Sequence, residues 1–352
     1  MNADLPLWPA GASTGVGSMP GVDAAEALRT AFGECPALPF LPELPARGPG
    51  ADVIGRSAGL LAGLHVDLQP AGWRLVDRPG LEERRARSLL ARDLDALEEH
   101  AEGYTGPLKL AAAGPWTLAA TIELPRGGRA LSDPGACRDL ASALAEGLAA
   151  HLADVARRVP GAALLMQLDE PALTAVLRGR VPTPSGFRTL RAVHPPVALD
   201  ALRSVVAACI DAAAVPVVHC CGDTVPIEVL LAAGVGGLSL DLTRLTAGEE
   251  EALGAAAEAG VGLLLGAVAS LPESASDAPE RSDAPVLSAP ARTVEGVAGQ
   301  VRALWRRLGL PAEHLRQVAV TPTCGLAGAS PQYARAALAL CREVAHRLAE
   351  ES

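Results

Sequence analysis

A histidine and two cysteines end one apolar run of this chain, and a distant cysteine ends another. Residues 215–223 read VPVVHCCGD, and residues 318–328 read VAVTPTCGLAG. Side chains alternate along a strand, so His219 and Cys221 share one side while Cys220 faces the other. Cysteine, histidine and carboxylate are the ligands of catalytic zinc. The pattern predicts a zinc site at His219, Cys221 and Cys324, with Cys220 in the core.

The histidine–cysteine pair alone is weak support for a metal site. Cysteine is often buried as a small apolar residue, and an isolated histidine usually satisfies a hydrogen bond in a core. The interpretation gains from Cys324 and from Asp241, a carboxylate at the end of the run GGLSLDL at 236–242. We expect Asp241 to be the fourth zinc ligand. A helix-capping or loop aspartate is the alternative for this position.

Composition excludes several functional classes. The chain has 352 residues and a formal net charge of −10. This charge argues against a general nucleic-acid or anionic-membrane surface, which requires a basic face. The N-terminus lacks the features of a signal peptide, and the longest apolar stretches are too short to span a bilayer. Seven cysteines, an odd number, make a poor disulfide framework. We expect a cytoplasmic protein with no nucleic-acid or membrane partner.

These residues follow short apolar runs that alternate with helical stretches. The eight runs are 13–20, 37–45, 107–116, 162–171, 215–222, 236–242, 261–268 and 318–325. The main helices are predicted at 80–102, 135–158, 198–213, 225–233, 247–259, 293–308 and 331–350. Apolar strands separated by helices indicate a parallel sheet that is covered on both faces.

Polar or conformationally special residues stand at the C-terminal ends of nearly all of these runs. They are Ser18, Glu43, Trp116, Asp169, Glu170, His219, Cys221, Asp241 and Cys324. Active sites of (β/α)8 barrels form at this end from several strands, whereas a doubly wound sheet concentrates its site at one switch point. No GxGxxG or GxxxxGK[ST] motif is present. The sequence therefore predicts an α/β fold of the (β/α)8 TIM barrel type.

We expect residues 1–352 to form a single barrel domain with two irregular segments. Residues 43–79 form a Pro/Gly-rich excursion after the second run. Residues 270–292 are low in complexity and are predicted to be a flexible loop. A lid over the site and a tolerated insertion are both open for this loop, and the insertion is favoured.

Together the motifs resemble the C-terminal catalytic barrel of the cobalamin-independent methionine synthases. The most specific match is HCCG at 219–222 with TPTCGL at 321–326. VGSMP at 16–20 and LDEPAL at 168–173 are similar to further family motifs. The less secure match is PELPARGPGADV at 42–53, beside an insertion. The resemblance extends from about residue 14 to residue 345.

The resemblance implies a role for each matching residue. Zinc would be held by His219, Cys221 and Cys324, with Asp241 near the place of the family's glutamate. Homocysteine would be bound by Ser18, Glu43, Asp169 and the segment GPWTLA that contains Trp116. Asp169 would hold the substrate amino group and, with His219 and Cys221, would form the catalytic set.

The implied activity is zinc-dependent S-methylation of a thiol, with homocysteine giving methionine. A free thiol has a pKa of about 8.5 and is mostly protonated at neutral pH. Coordination to Zn²⁺ deprotonates it, and two protein thiolates keep the metal electron-rich. The substrate sulfur then remains nucleophilic enough to accept a methyl group. Zn²⁺ is therefore the expected cofactor.

The chain departs from the family at three places. Aspartate stands at position 241 instead of glutamate, and GAVASLPES at 266–274 lacks the family's Asp-x-His. Only one barrel is present, whereas the full-length family has two. The expected partners are thus homocysteine and a methyl donor, which is either methyltetrahydrofolate or a methylated corrinoid protein.

Two rival functions remain open at this point. A corrinoid-dependent methyltransferase resembling the coenzyme M enzymes also uses a His-x-Cys pair and a distal cysteine. Uroporphyrinogen decarboxylase, from the same superfamily, lacks zinc cysteines. A sulfonate substrate would require additional arginine, so Ser18, Glu43 and Asp169 suit an amino-acid thiol better. A non-catalytic zinc-binding barrel is the second rival, and it has no need of these polar residues.

Overall fold

The computed structural model describes residues 7–272 and 292–350, which form a mixed α/β fold around a parallel sheet. The strands are β1 His65–Gln69, β2 Gly72–Val76, β3 Gly106–Ala113, β4 Ala162–Asp169, β5 Val215–Cys220, β6 Gly237–Asp241, β7 Gly262–Val268 and β8 Val318–Pro322. Strands β3 to β8 pair in sequence order, all parallel, whereas β1 and β2 form a separate antiparallel hairpin. The six-stranded sheet is curled like half of a barrel.

Helices connect the strands of this sheet. They are α1 Ala24–Glu34, α2 Val53–Ala58, α3 Leu81–His100, α4 Pro115–Thr121, α5 Pro134–Arg158, α6 Leu173–Leu177, α7 Pro195–Asp211, α8 Ile227–Ala232, α9 Ala247–Glu258, α10 Val294–Leu308 and α11 Pro331–Glu350. The seven predicted helices are confirmed as α3, α5 and α7 to α11. Within the described residues, no helix combines the length and the apolar character needed to cross a membrane.

Both faces of the sheet are buried. Helices pack against one face, and side chains of the other, such as Leu165 and Leu264, pack with Trp8. All seven residues of β7 and all five of β8 are buried. These strands read GLLLGAV and VAVTP, with no alternation of polar and apolar residues. Continuous burial of this kind is typical of a parallel sheet whose two faces are both packed.

Six of the eight predicted strands are regular, and the first two runs are not. Residues 12–19 and 39–43 instead make isolated parallel bridges, Ser13 to Val320, Ser18 to Glu43, and Phe40 to Lys109. The second run, ALPFLPELP, has prolines at 39, 42 and 45. Proline has no N–H to donate, so a continuous ladder cannot form there. The full eight-stranded barrel is thus not present as regular strands.

The predicted excursion at 43–79 carries structure of its own. It contains two 3-10 turns, the helix α2 and the β1–β2 hairpin. Arg47 donates two hydrogen bonds of 2.7 Å to Asp93 of α3, and Arg56 donates one of 3.0 Å to the same carboxylate. Glu83 of α3 accepts a 2.9 Å hydrogen bond from the backbone N–H of Val66. These contacts tie the excursion to α3. Of the predicted loop at 270–292, residues 273–291 lie outside the described residues.

The buried His151 of α5 gives the fold a predicted acid sensitivity. Burial and the nearby Arg56 lower the pKa of His151 from 6.5 to about 4. Its stabilising contribution is therefore present above about pH 6.5 and is lost as the pH falls through about 4, because the unfolded chain binds the proton first. We expect the free energy of unfolding, measured with denaturant, to fall between about pH 8 and pH 4.5 in wild type. This fall should be roughly 2–3 kcal/mol larger than in His151→Asn. An equal change of the free energy of unfolding with pH in the two proteins would contradict this expectation.

Candidate metal centre

The structure brings together His219, Cys221 and Cys324. One ligand atom from each lies within 4.8 Å of those of the other two. His219 is in β5, Cys221 follows its last residue, and Cys324 is two residues beyond β8. Because β6 and β7 separate these strands in the sheet, the curl of the sheet is what brings their ends together. All three residues are at the carboxyl ends of their strands.

The imidazole of His219 is held on one side and is without a partner on the other. Its Nδ1 lies 3.0 Å from Oγ of Ser239, the residue paired with it on β6. Its Nε2 is buried and has no hydrogen-bond partner among the described residues. A buried polar atom left unpaired is costly, and metal-bound histidines commonly use their second nitrogen in this kind of contact. A metal ligand role for Nε2 accounts for both observations.

The two thiols shift each other's pKa in opposite directions. Contact with the Cys221 thiol and with His219 lowers the pKa of Cys324 to about 4. Contact with Cys324 and burial raise the pKa of Cys221 well above its ordinary value. The pair therefore shares one proton, which a divalent cation would displace. One nitrogen and two sulfurs form a donor set that fits zinc.

Cys220 faces away from this group, as predicted. Its side chain is fully buried in the hydrophobic core, and burial raises the pKa of its thiol to about 11. It is a small core residue. This position provides a neighbouring cysteine for mutational comparison with the candidate ligands.

Asp241 is not brought into the group of three by the described structure. Its Oδ1 accepts hydrogen bonds from the backbone N–H of Thr243 at 2.9 Å and from the Thr243 hydroxyl at 2.6 Å. The carboxylate thus caps the 3-10 turn Leu242–Arg244, which was the alternative for this aspartate. Cys220 pairs with Leu240 across the strands, so Asp241 is still next to Cys221 in register. Ligation would require its carboxylate to leave Thr243.

Ser18 lies beside the turn that carries Cys324. Its carbonyl oxygen accepts a 2.8 Å hydrogen bond from the N–H of Leu326. A Cβ atom on Gly325 would lie only 2.0 Å from Oγ of Ser18. A side chain at position 325 would therefore require the Ser18 hydroxyl to rotate away from this turn. Ser18 also bridges to Glu43 on the neighbouring segment.

Glu43 is a buried carboxylate with incomplete partners. Its Oε1 has no hydrogen-bond partner in the described chain, and the nearest cationic atom is Nε of Arg56 at 3.9 Å. Burial raises the pKa of Glu43 to about 7, against the opposing effect of Arg56. Arg56 also binds Asp93, so its charge is shared between two carboxylates. A cationic group from a substrate would complete the surroundings of Glu43.

Asp169 ends β4 and is paired in register with His219 of β5. Its Oδ1 accepts a 2.7 Å hydrogen bond from Nε2 of Gln167. Burial raises the pKa of Asp169, while His219 and the Gln167 hydrogen bond oppose that rise. Asp169 is therefore directly beside one of the candidate metal ligands.

Glu170 has a structural role that the sequence did not reveal. It accepts hydrogen bonds from the N–H of Trp116 at 2.9 Å, and from the N–H and the hydroxyl of Thr117 at 2.8 Å and 2.7 Å. It thus satisfies the N-terminus of α4, whose N-cap Gly114 has no side chain to do so. A Cβ on Gly114 would lie 2.4 Å from Oε1 of Glu170.

Trp116, predicted to bind substrate, is not brought to the metal ligands. Its indole N–H donates a 2.9 Å hydrogen bond to the carbonyl of Ala198 in α7. The ring is 2 % exposed and lies in the helical layer. Sequence reasoning also missed Ser239, Gln167 and Lys109. Only Lys109 gives a signal, since it is the one lysine of the chain and is in an apolar strand.

Comparison with known proteins is informative at the level of structure. No protein-family model and no curated protein sequence matches the chain. A B12-independent methionine synthase from Shewanella sp. W3-18-1, solved with selenomethionine, aligns with a TM-score of 0.58 at 13% identity. The alignment covers 97% of this chain and 98% of that one. The two proteins are similar in fold.

More distant structures are also enzymes. Oxaloacetate acetylhydrolase in complex with oxalate aligns with a TM-score of 0.33 at 15% identity, over 90% of this chain and 81% of that chain. A 2,3-dimethylmalate lyase aligns with a TM-score of 0.29 at 14% identity, over 88% and 76%. Likeness at these scores supports no argument about function.

Proposed function

We propose that this protein is a zinc-dependent thiol S-methyltransferase that converts homocysteine to methionine. The observation that carries the proposal is the group of His219, Cys221 and Cys324 with the unpartnered buried Nε2. The same carboxyl-end position of Ser18, Glu43 and Asp169 supports it, as does the fold shared with a methionine synthase. We also infer that segments 12–19 and 39–43 serve as the first two strands of an eight-stranded barrel, through their parallel bridges.

The chain's own residues divide into a sulfur end and an amino-acid end. At the sulfur end His219, Cys221 and Cys324 would hold zinc, which lowers the pKa of a substrate thiol so that it reacts as a thiolate. Ser239 orients the imidazole of His219 through the 3.0 Å contact to Nδ1. The methyl group forms a bond to sulfur as its bond to the donor breaks, and the donor keeps the bonding electron pair.

At the amino-acid end the carboxylates suit a substrate ammonium group. Glu43 has an oxygen without a hydrogen-bond partner among the described residues. Asp169 is buried at the end of β4, with β3 lying between it and the segment of Glu43. Two buried carboxylates would repel a sulfonate, and the nearby Arg56 is already bound to Asp93. These charges favour an amino-acid thiol over coenzyme M.

The same charges weigh against a purely structural or storage role. A zinc-storage protein has no need for buried carboxylates with unused hydrogen-bonding capacity beside the metal. Burial of Glu43 raises its pKa to about 7, which is a cost to the fold that ligand binding would offset. Sites with perturbed carboxyl groups of this kind are characteristic of binding and catalysis.

Asp241 is proposed as the fourth, exchangeable ligand. Three protein ligands remain in Asp241→Ala, so we expect it to take up zinc at stoichiometric concentration, to lose it faster than wild type to a chelator, and to turn over poorly. Thr243→Val is the matched control, since it removes one of the two hydrogen bonds to Asp241 and leaves the carboxylate in place. If wild type and both variants lost zinc to the chelator at the same rate, Asp241 would only cap the turn and would not be a ligand.

A screen of thiols and donors tests the proposed function. The zinc-loaded protein is incubated with homocysteine or coenzyme M, each with 5-methyltetrahydrofolate or methylcobalamin, and the methylated thiol is measured by mass spectrometry. We expect methionine from homocysteine with one of the two donors. Preferential methylation of coenzyme M would favour the rival methyltransferase. Tightly bound zinc with no methylated product from any pair would favour the non-catalytic barrel.

A further inference from the structure

The only lysine of the chain is fully buried in the parallel sheet. Lys109 is in β3 and has no exposed surface. Lysine is almost never fully buried unless it is paired, because its ammonium group is costly to desolvate. Burial lowers the pKa of Lys109 to about 8, while Asp169, Glu43 and Cys35 oppose that fall. The amine therefore keeps its proton at neutral pH, and its position requires a reason.

The ammonium group contacts the segments that carry Ser18, Glu43 and Asp169. Nζ donates to the carbonyl of Val16 at 2.8 Å, two residues before Ser18 in the chain. It lies 5.6 Å from the ring centroid of Phe40, on the segment that carries Glu43. It also donates to Oε1 of Gln167 at 2.9 Å, on the strand that carries Asp169. One cation thus connects the three segments that carry Ser18, Glu43 and Asp169.

The lysine fixes the direction of the Gln167 amide. An ammonium group can only donate, so the amide oxygen must face Lys109. The amide nitrogen then faces the other way and donates to the Val16 carbonyl and to Oδ1 of Asp169, both at 2.7 Å. If the amide were reversed, its oxygen would face the carboxylate oxygen. The lysine therefore ensures that Gln167 presents a donor to Asp169.

This hydrogen bond makes the two carboxylate oxygens of Asp169 different. Oδ1 is occupied by Gln167, whereas Oδ2 has no hydrogen-bond partner in the described part of the chain. A carboxylate held by one oxygen offers the other in a defined direction. A ligand ammonium group is the complementary partner for that oxygen.

We propose that Lys109, acting through Gln167, is a positioning residue that orients Asp169 toward a substrate α-ammonium group and so makes the site selective for amino-acid thiols. This inference rests on the proposed function. The selectivity would then originate in Lys109 and Gln167, which lie behind Asp169 and do not touch the substrate. Lys109 itself touches no substrate in this arrangement.

Paired thiols separate this role from a structural one. Homocysteine and 4-mercaptobutyrate differ only in the α-amino group. In Lys109→Met loaded with zinc, we expect calorimetry to show homocysteine binding weakened by about tenfold or more, the scale of one charged hydrogen bond. Binding of 4-mercaptobutyrate should change by less than about twofold, and zinc content should remain at the wild-type level. Gln167→Met should reproduce the same difference between the two thiols.

The single lysine also permits a test without mutation. In wild-type protein grown with isotope-labelled lysine, Lys109 gives the only lysine side-chain signal, and we expect homocysteine but not 4-mercaptobutyrate to shift it. Equal weakening of both thiols in the variants, or a lysine signal that homocysteine leaves unmoved, would overturn the positioning role. Wild-type zinc protein that binds neither thiol would instead refute the proposed function from which the inference starts.

Discussion

Replacing Cys324 with serine is expected to abolish stable zinc binding and, with it, methyl transfer. Cys324 supplies one of the two sulfur atoms in the group of three, and serine offers a hydroxyl that zinc binds poorly in comparison with a thiolate. Changes outside the first coordination shell already cost about 10–100-fold in metal affinity, so we expect a loss of at least about a hundredfold here. Elemental analysis after dialysis against a chelator measures the zinc that each protein retains.

Cys220→Ala is the matched control for this experiment. Cys220 is adjacent to Cys221 in sequence, but its thiol is buried in the core on the opposite side of the strand. We expect the alanine variant to retain one zinc per chain while losing some stability through the small cavity that it creates. Full zinc retention in Cys324→Ser would show that the distal cysteine is not a ligand.

Asp169→Asn is expected to weaken homocysteine binding by about ten- to a hundredfold while leaving zinc in place. The carboxylate is expected to pair with the substrate ammonium group, and a hydrogen bond to a charged group contributes roughly 1.5–3 kcal/mol. Asparagine keeps the size of the side chain and removes its charge. Isothermal titration of the zinc-loaded protein with homocysteine measures the change directly.

The neighbouring Glu170 is the control for a general effect of removing a buried negative charge. Its carboxylate caps α4 through Trp116 and Thr117, so Glu170→Gln should lower thermal stability and leave homocysteine affinity near that of wild type. If Asp169 only orients its strand, Asp169→Asn should behave in the same way. A stability loss without an affinity loss at Asp169 would therefore contradict its assigned role.

Much of the fold could be predicted from the sequence because its signals are local. Continuous apolar runs such as GLLLGAV identify β7, and long amphipathic stretches identify α3 and α11. The second run is also largely apolar, yet it forms only isolated bridges. Apolar patterning reports burial, whereas a ladder also requires backbone N–H groups, which the prolines of ALPFLPELP lack.

The candidate metal ligands were also accessible from the sequence, since parallel strands place their carboxyl ends on one side. The direction of a strand does not determine where the side chains at and beyond its end point. Trp116 lies just beyond β3 and hydrogen-bonds to Ala198 in α7, whereas Asp241 is the last residue of β6 and hydrogen-bonds to Thr243 in the following turn. Such choices depend on contacts between distant segments. The Lys109–Gln167 pair, 58 residues apart, is of this kind.

X-ray absorption at the zinc edge counts the sulfur ligands of the metal before and after a thiol binds. We predict two sulfur ligands in the zinc-loaded protein, from Cys221 and Cys324, and three after homocysteine is added, with the loss of an oxygen ligand. Soft sulfur holds zinc more firmly than carboxylate or water oxygen does, so an arriving thiol should displace the oxygen. A sulfur count that stays at two in saturating homocysteine would make the zinc structural and would contradict the methyltransferase proposal.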